Sequence, residues 1–378
     1  MQFYFGNIAK YIQKTPTIFV FYAQLTGFAA GDKMGNIIFG GVYMETLDFG
    51  SLSFAYTKTD YRYVTNYADG QWDEGGLTRD ADIVLNESAC VLHYCQACFE
   101  GMKAYRTKDG RIVCFRPELN EARMADSCRR MVMPVLPEGR FLEAVRETVR
   151  ANLPYLPPYG TGASLYLRPI MFGTTPLLGV KPAKEFQFRL FASPVGPYFK
   201  GGVRPLKLRV CDFDRAAPRG TGHIKAGLNY AMSLYAITDA HEKGYDENVY
   251  LDPATRTCIE ETGGANLLFV SKQGHLVVPA SSSILPSITR RSLVQVAKDY
   301  LGLVVEERPV KLSEIQDFAE CGLCGTAAVI SPVGSIDDHG KVYAFEGLGP
   351  VVTKLRQTLT GIQLGDIPAP DGWLMEID

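Results

Sequence analysis

Between residues 140 and 152 the apolar positions Phe141, Val145 and Val149 recur every four residues, which predicts a helix with one buried face, closed by Pro154, Pro157 and Pro158. The same periodicity predicts helices over 226–243 and 290–301, the latter presenting Leu293, Val296, Ala297 and Leu301. A further helix is expected over 117–133. Pro117 opens it after the strand-like run Ile112-Val113-Cys114-Phe115, Asn120 is its expected cap, and Pro134 and Pro137 stop it. Aromatic and aliphatic runs at 164–170, 186–193, 206–210, 249–251 and 267–270 predict strands. Strands and helices alternate from about Tyr61 without a repeat or low-complexity tract, so the expected fold class is mixed α and β (α+β).

The Gly/Pro-dense stretch 194–202 breaks this pattern and is the expected interdomain linker. A length of 378 residues suits two domains. The expected division is an N-terminal extension over 1–43, a small domain over 44–196, a linker over 197–206 and a larger domain over 207–378. The first 43 residues carry three lysines, one aspartate and no arginine, with an apolar stretch over 18–30 interrupted by Gln24 and Thr26. That stretch is too short to span a bilayer. It loosely imitates a signal peptide, but the cysteine usage downstream argues against export. The extension is expected to lie outside the core, with Met44 as the start of the enzyme-like text.

A net charge of −2 and a mean hydropathy of −0.03 recommend neither nucleic acid nor a membrane surface as partner. Nine cysteines, an odd number scattered along the chain, suggest free thiols in a reducing compartment, so a cytoplasmic location is expected.

The chemistry concentrates in Gly220-Thr221-Gly222-His223-Ile224-Lys225-Ala226-Gly227-Leu228-Asn229-Tyr230. A lysine among glycines and apolar residues, with a phenol five residues on, is a plausible amine nucleophile, although most lysines are merely solvated. His223 alone is more often structural than catalytic. Three clusters change the weighting: Glu260 to Asn266, Ile284 to Arg290, and Cys324 to Ala328. In the second, Ser287 to Thr289 precede a helix, where free N–H groups and the dipole suit a phosphate. In the third, Gly325-Thr326 offers further amides and a hydroxyl. Each is weak alone, since caps and turns use the same residues. Together they are the parts that pyridoxal 5′-phosphate requires: a lysine for the Schiff base, an acid for the pyridine nitrogen, and an anion cradle. Neither a dinucleotide fingerprint nor a P-loop is present.

The blocks Phe99-Glu100-Gly101-Met102-Lys103-Ala104-Tyr105, Phe115-Arg116-Pro117, Leu165-Tyr166-Leu167-Arg168-Pro169, Pro194 to Phe199, Lys225 to Tyr230 and Glu261 to Asn266 stand in one ordered register. In this the chain resembles the branched-chain amino acid aminotransferases, fold-type IV pyridoxal-phosphate enzymes, from about Asp60 to Gly365. The resemblance implies that Lys225 forms the Schiff base and moves the substrate proton. It implies that Glu261 pairs with the pyridinium nitrogen and Tyr230 with the phenolic oxygen. Arg116, Ile288, Thr289 and Thr326 are implied to hold the phosphate, with Arg215 near it and Gly264 and Asn266 beside the ring. Tyr94, Phe99, Tyr166 and Tyr198 match the substrate's aromatic box, Arg168 orients, and Thr326 and Ala327 back the carboxylate. A homodimer with small-molecule substrates, leucine, isoleucine or valine against 2-oxoglutarate and glutamate, is implied as well.

Two departures stand out. Ala328 and Ser331 occupy the positions of a redox-sensitive Cys-x-x-Cys in some animal members, so that switch does not carry over. Gly264 stands where many relatives have threonine, and its hydrogen bond is lost. Cys95-x-x-Cys98 and Cys321-x-x-Cys324 superficially suggest zinc, but the first pair falls in the substrate-wall block and no metal is expected. The alternatives are another fold-type IV enzyme, a D-amino acid aminotransferase or aminodeoxychorismate lyase, or a silent binding protein. The intact set Lys225, Glu261, Tyr230 and Arg116 argues against the last.

Overall fold

The computed structural model of the chain describes residues 47–197 and 203–377. The predicted extension 1–43, Tyr198 and the linker positions 198–202 lie outside the described residues. Residues from Leu47 onward form one compact unit.

Two large sheets organise that unit. The first uses β1 (Arg62–Ala68), β2 (Gln71–Trp72), β3 (Gly76–Thr78), β4 (Ala97–Phe99), β5 (Met102–Arg106), β6 (Ile112–Phe115), β7 (Ser164–Gly173) and β8 (Phe186–Val195). The second begins with β9 (Leu206–Val210) and β10 (Glu247–Val249). It continues, past the short β11 (Cys258–Ile259), with β12 (Asn266–Ser271), β13 (Leu276–Pro279) and β14 (Val305–Arg308). After β15 (Val310–Lys311), which pairs only with β11, β16 (Phe318–Gly325), β17 (Val329–Asp338) and β18 (Lys341–Ala344) complete it. The last strand, β19 (Leu374–Glu376), returns to β6, so the order in the first sheet is β19-β6-β5-β7-β8-β1-β2 with β3 on β1 and β4 on β7. In the second it is β10-β9-β17-β16-β12-β13-β14, with β18 on β17.

The helices are α1 (Cys90–Tyr94), α2 (Pro117–Arg130), α3 (Arg140–Ala151), α4 (Gly227–Glu242), α5 (Ile288–Asp299) and α6 (Pro350–Gln363). Helix α3 buries Phe141, Ala144, Val145, Thr148 and Val149, the stripe its periodicity predicts. Phe141, Ala144, Val145 and Val149 pack in one core with Leu165, Leu167, Phe188 and Leu190 of β7 and β8. The opposite side of the first sheet contributes Tyr105, Val113 and Phe115 to a core shared with Leu268, Val270, Leu293 and Leu355. The two sheets are thereby joined through side chains as well as through β19.

Helix α2 starts differently from the expectation. Its cap is Arg116, in the left-handed region at φ 47°, with Pro117 in the first turn, whereas Asn120 is buried inside the helix with its amide turned to Glu100. A short amide can serve as a cap only where its own backbone leaves the helix, and Pro117 has already set the helical φ three residues earlier. Helix α5 begins two residues before the expected Arg290, because the Ser287 hydroxyl accepts a 3.1 Å bond from the Arg290 amide.

Candidate active site

Lys225 enters the site on the turn before α4, and backbone pairing with the first sheet fixes its position. The Phe99 amide donates to the Lys225 carbonyl at 3.1 Å, Cys98 and Ala226 form an antiparallel bridge, and the Lys225 amide donates to Ser127 Oγ of α2 at 3.1 Å. The side chain then has little freedom. Its Nζ donates to Tyr230 Oη at 2.8 Å and lies 4.7 Å from the centre of the Phe99 ring, which meets Tyr230 edge-on.

Tyr166 and Arg168 are two apart on β7 and so share a face. Arg168 Nη2 donates to Tyr166 Oη at 3.0 Å, and the guanidinium lies 5.1 Å from the Phe99 ring centre. Phe99 sits beside them because β4 pairs with β7, placing Phe99 opposite Ile170. Three predicted substrate-wall residues therefore converge above Lys225. Tyr94 does not join them within this chain. It lies on α1, and its hydroxyl donates to the Leu178 carbonyl.

Glu261 is completely buried at the second sheet. Its carboxylate accepts from the Leu285 amide at 2.8 Å and from Asn266 Nδ2 at 2.7 Å, and forms an ion pair with Arg215 Nη2 at 2.6 Å. Burial pushes its pKa up to about 7, outweighing the neighbouring Arg215 charge that acts in the opposite direction. Asn266 is held as a partner of Glu261. Arg215 is likewise placed against Glu261, and also donates to the carbonyls of Gly222 and Ser283. A buried guanidinium is held best by a carboxylate partner.

Ile288, Thr289 and Thr326 line one small cavity together with Gly101 and Asn120. The cavity opens on the first turn of α5, whose leading amides have no intrahelical acceptor. Thr326 Oγ1 donates to the Gly101 carbonyl at 3.2 Å. Arg116 approaches the same helix, donating from Nη1 to Ser292 Oγ at 3.1 Å while its guanidinium stacks 4.5 Å from the Trp373 ring centre. Gly264 has open space where a side chain would project. Next to Thr326, the Ala327 carbonyl accepts from Lys103 Nζ at 2.8 Å. Burial lowers the pKa of Lys103 to about 8.

The residues present fit pyridoxal 5′-phosphate. Among the buried polar atoms without a hydrogen-bond partner are the Nε atoms of Arg116, Arg215 and Arg290 and the Oδ1 of Asn266, which polar groups of the cofactor would satisfy. A carboxyl driven up to about 7 by burial is one that a positive ring nitrogen would ionise.

Sequence reasoning gave no site role to Glu100, Asn120, Arg123 and Ser127, all of them buried, of which Ser127 accepts from the Lys225 amide. A signal existed. Asn120, Arg123 and Ser127 recur at helical spacing on the stripe that also carries Met124 and Cys128, where apolar residues are the rule.

A lysine held against a phenol on the turn before a helix, a buried carboxylate and an anion-receptive helix start are the parts that the fold-type IV pyridoxal-phosphate enzymes bring together. The profile of the class IV amino-transferases matches residues 97–336. The branched-chain-amino-acid aminotransferase of Haemophilus influenzae is 48% identical over 343 residues, 89% of this chain and 100% of that protein. That of Helicobacter pylori is 47% identical over 88% of this chain and 99% of its own length. Among solved structures, the branched-chain amino acid aminotransferase from Escherichia coli matches with a TM-score of 0.67 at 30% identity, covering 85% of this chain and all of that one. The holo-form from Thermobaculum terrenum, with pyridoxal phosphate, matches with a TM-score of 0.71 at 26% identity over 85% of this chain and all of its own.

The chain is thus a transaminase of fold type IV whose cofactor is pyridoxal 5′-phosphate. Within that class it belongs to the branched-chain-amino-acid aminotransferase family.

Proposed function

We propose that this enzyme transfers the amino group of L-leucine, L-isoleucine or L-valine to 2-oxoglutarate, giving the branched 2-oxo acid and L-glutamate. The observation that carries the reading is the Lys225 Nζ to Tyr230 Oη contact of 2.8 Å beneath the Phe99–Tyr166–Arg168 wall.

Pyridoxal phosphate supplies, when bound, an electron sink for charge developing at the substrate Cα. Lys225 provides the amine that holds the cofactor and, once substrate has displaced it, takes the proton from Cα and returns it on the other side of the exchange. Tyr230 keeps that amine oriented. Glu261 would pair with the ring nitrogen, and Asn266 and Arg215 fix its two oxygens. Arg116, Ile288, Thr289 and Thr326 would hold the phosphate, and Gly264 leaves room beside the ring. The unpartnered Nε of Arg215 supports its place in the cofactor site.

Phe99 and Tyr166 offer apolar surface to a branched side chain, where each buried methylene contributes about 0.8 kcal/mol. Arg168 and the tyrosine hydroxyls give glutamate's side-chain carboxylate its donors. Thr326 and the Ala327 amide would receive the substrate carboxylate, and Lys103 holds the Ala327 carbonyl.

The enzyme works as a homodimer in which Tyr94 and Tyr198 close the substrate walls. Met232, Leu234 and Tyr235 on α4 are each more than half exposed, apolar surface that a second copy would cover. The proposed domains divide at 196 and 207; β1 to β8 precede that division, and β19 returns across it to the first sheet. A cytoplasmic location suits the nine free cysteines. Among the described residues no helix is long and apolar enough to cross a membrane.

The test is product formation. Incubated with L-leucine and 2-oxoglutarate, the purified enzyme forms L-glutamate and the six-carbon branched oxo acid. Turnover of D-alanine with none of L-leucine would move the assignment to the D-amino acid aminotransferases.

A further inference from the structure

Helix α2 carries three buried polar side chains on one face, at spacings of three and four residues: Asn120, Arg123 and Ser127. Each reaches a different part of the site. Ser127 Oγ accepts the Lys225 amide. Arg123 Nη1 donates to the carbonyl of Pro286 at 3.1 Å, the residue immediately before the Ser287 cap of α5. Asn120 Nδ2 reaches the Gly101 carbonyl, which also accepts from Thr326.

The centre of this arrangement is Glu100, whose side chain is wholly buried. Arg123 donates to its two oxygens from Nε and Nη2, at 2.8 Å each, and Asn120 and the Gly101 amide donate to Oε2 at 2.7 and 3.2 Å. Its own amide donates to the Pro169 carbonyl beside Arg168. An ion pair this deeply buried recovers little net stability, because desolvation of both charges offsets their attraction. What the planar fork supplies is direction. Two parallel bonds fix the guanidinium and so aim its remaining nitrogen at Pro286.

We infer that Arg123, locked by Glu100, is a positioning residue for the cofactor site. It ties the turn that starts the phosphate-receiving helix to the same helix face that holds the Lys225 backbone. The inference rests on the pyridoxal-phosphate reading of the site.

Two variants test it. Arg123→Lys keeps the charge beside Glu100 but cannot also reach Pro286. The pair Glu100→Gln with Arg123→Gln keeps a neutral, hydrogen-bonding core without the fork. For each, the dissociation constant of pyridoxal phosphate is measured, together with the melting temperature of the cofactor-free and cofactor-loaded protein. Both variants are expected to bind the cofactor about tenfold more weakly, as for one lost charge-assisted hydrogen bond. The melting-temperature gain on loading shrinks, while the cofactor-free protein melts close to the wild type. A merely structural role would lower both melting temperatures equally and leave their difference intact. That result, unchanged affinity in both variants, or failure of both to fold with or without cofactor overturns the inference. A wild-type protein that binds no cofactor would instead overturn the reading of the site itself.

Discussion

A methyl group on Gly101 would collide with the hydroxyl of Tyr166, which packs directly over that backbone. The glycine lies between β4 and β5, so its bareness lets the substrate-facing tyrosine reach Arg168. Gly101→Ala is expected to raise KM for L-leucine about tenfold by displacing Tyr166, in line with the roughly 1–3 kcal/mol that overpacking costs. Steady-state kinetics together with a melting curve check it. A KM within twofold of wild type would show that Tyr166 does not shape the leucine site.

Arg168 combines a hydrogen bond to Tyr166 with a stack on Phe99, and a lysine ammonium cannot make both. Arg168→Lys is expected to raise KM for 2-oxoglutarate about tenfold more than KM for L-leucine, because only the dicarboxylate needs a donor there. Equal effects on the two substrates would assign Arg168 to packing.

These side chains show what was readable in advance. Local periodicity marked helices α3 and α5, while Lys225, Tyr230, Glu261 and the 166–168 segment were marked through the resemblance that the ordered motif blocks carry. The buried Glu100–Arg123 pair was not read, since its partners lie 23 residues apart and meet only when α2 packs across the sheet. Strands β16 and β17 were missed because Gly322, Gly325, Pro332 and Gly334 look like loop residues. In the fold the sheet neighbours of these strands, not their propensity, hold them extended. The placement of Arg215 against Glu261 also depends on tertiary burial.

Glu261 makes stability depend on pH. Burial raises its carboxyl from 4.5 to about 7, so the fold favours the neutral form. The favourable contribution is complete below about pH 4.5 and is lost as the pH rises toward 7. In cofactor-free protein, Glu261→Gln should therefore gain about 3 kcal/mol on the wild type between those two pH values. Denaturant unfolding at pH 4.5 and pH 7 measures the difference. A gap between wild type and variant that does not change with pH would contradict a raised carboxyl.

Tyr230 holds the Lys225 amine through one 2.8 Å bond. Tyr230→Phe keeps the ring against Phe99 and removes only the hydroxyl. Its kcat is expected to fall at least about tenfold, within the usual range for a group assisting proton transfer, with a smaller change in KM. Stopped-flow measurement of the first half-reaction with L-leucine separates this from product release. An unchanged rate would remove Tyr230 from the proton-moving machinery.

Two lysines lie close to the site: the half-buried Lys225, beside Tyr230, and the buried Lys103, whose amine is lowered to about 8 and donates to the Ala327 carbonyl. Borohydride reduction of the cofactor-loaded enzyme, followed by peptide mass mapping, shows which of them carries pyridoxal phosphate. The expected adduct is on Lys225 alone, with Lys103 unmodified and activity lost in proportion to labelling. An adduct on Lys103, or labelling that leaves Lys225 free, would contradict the assignment.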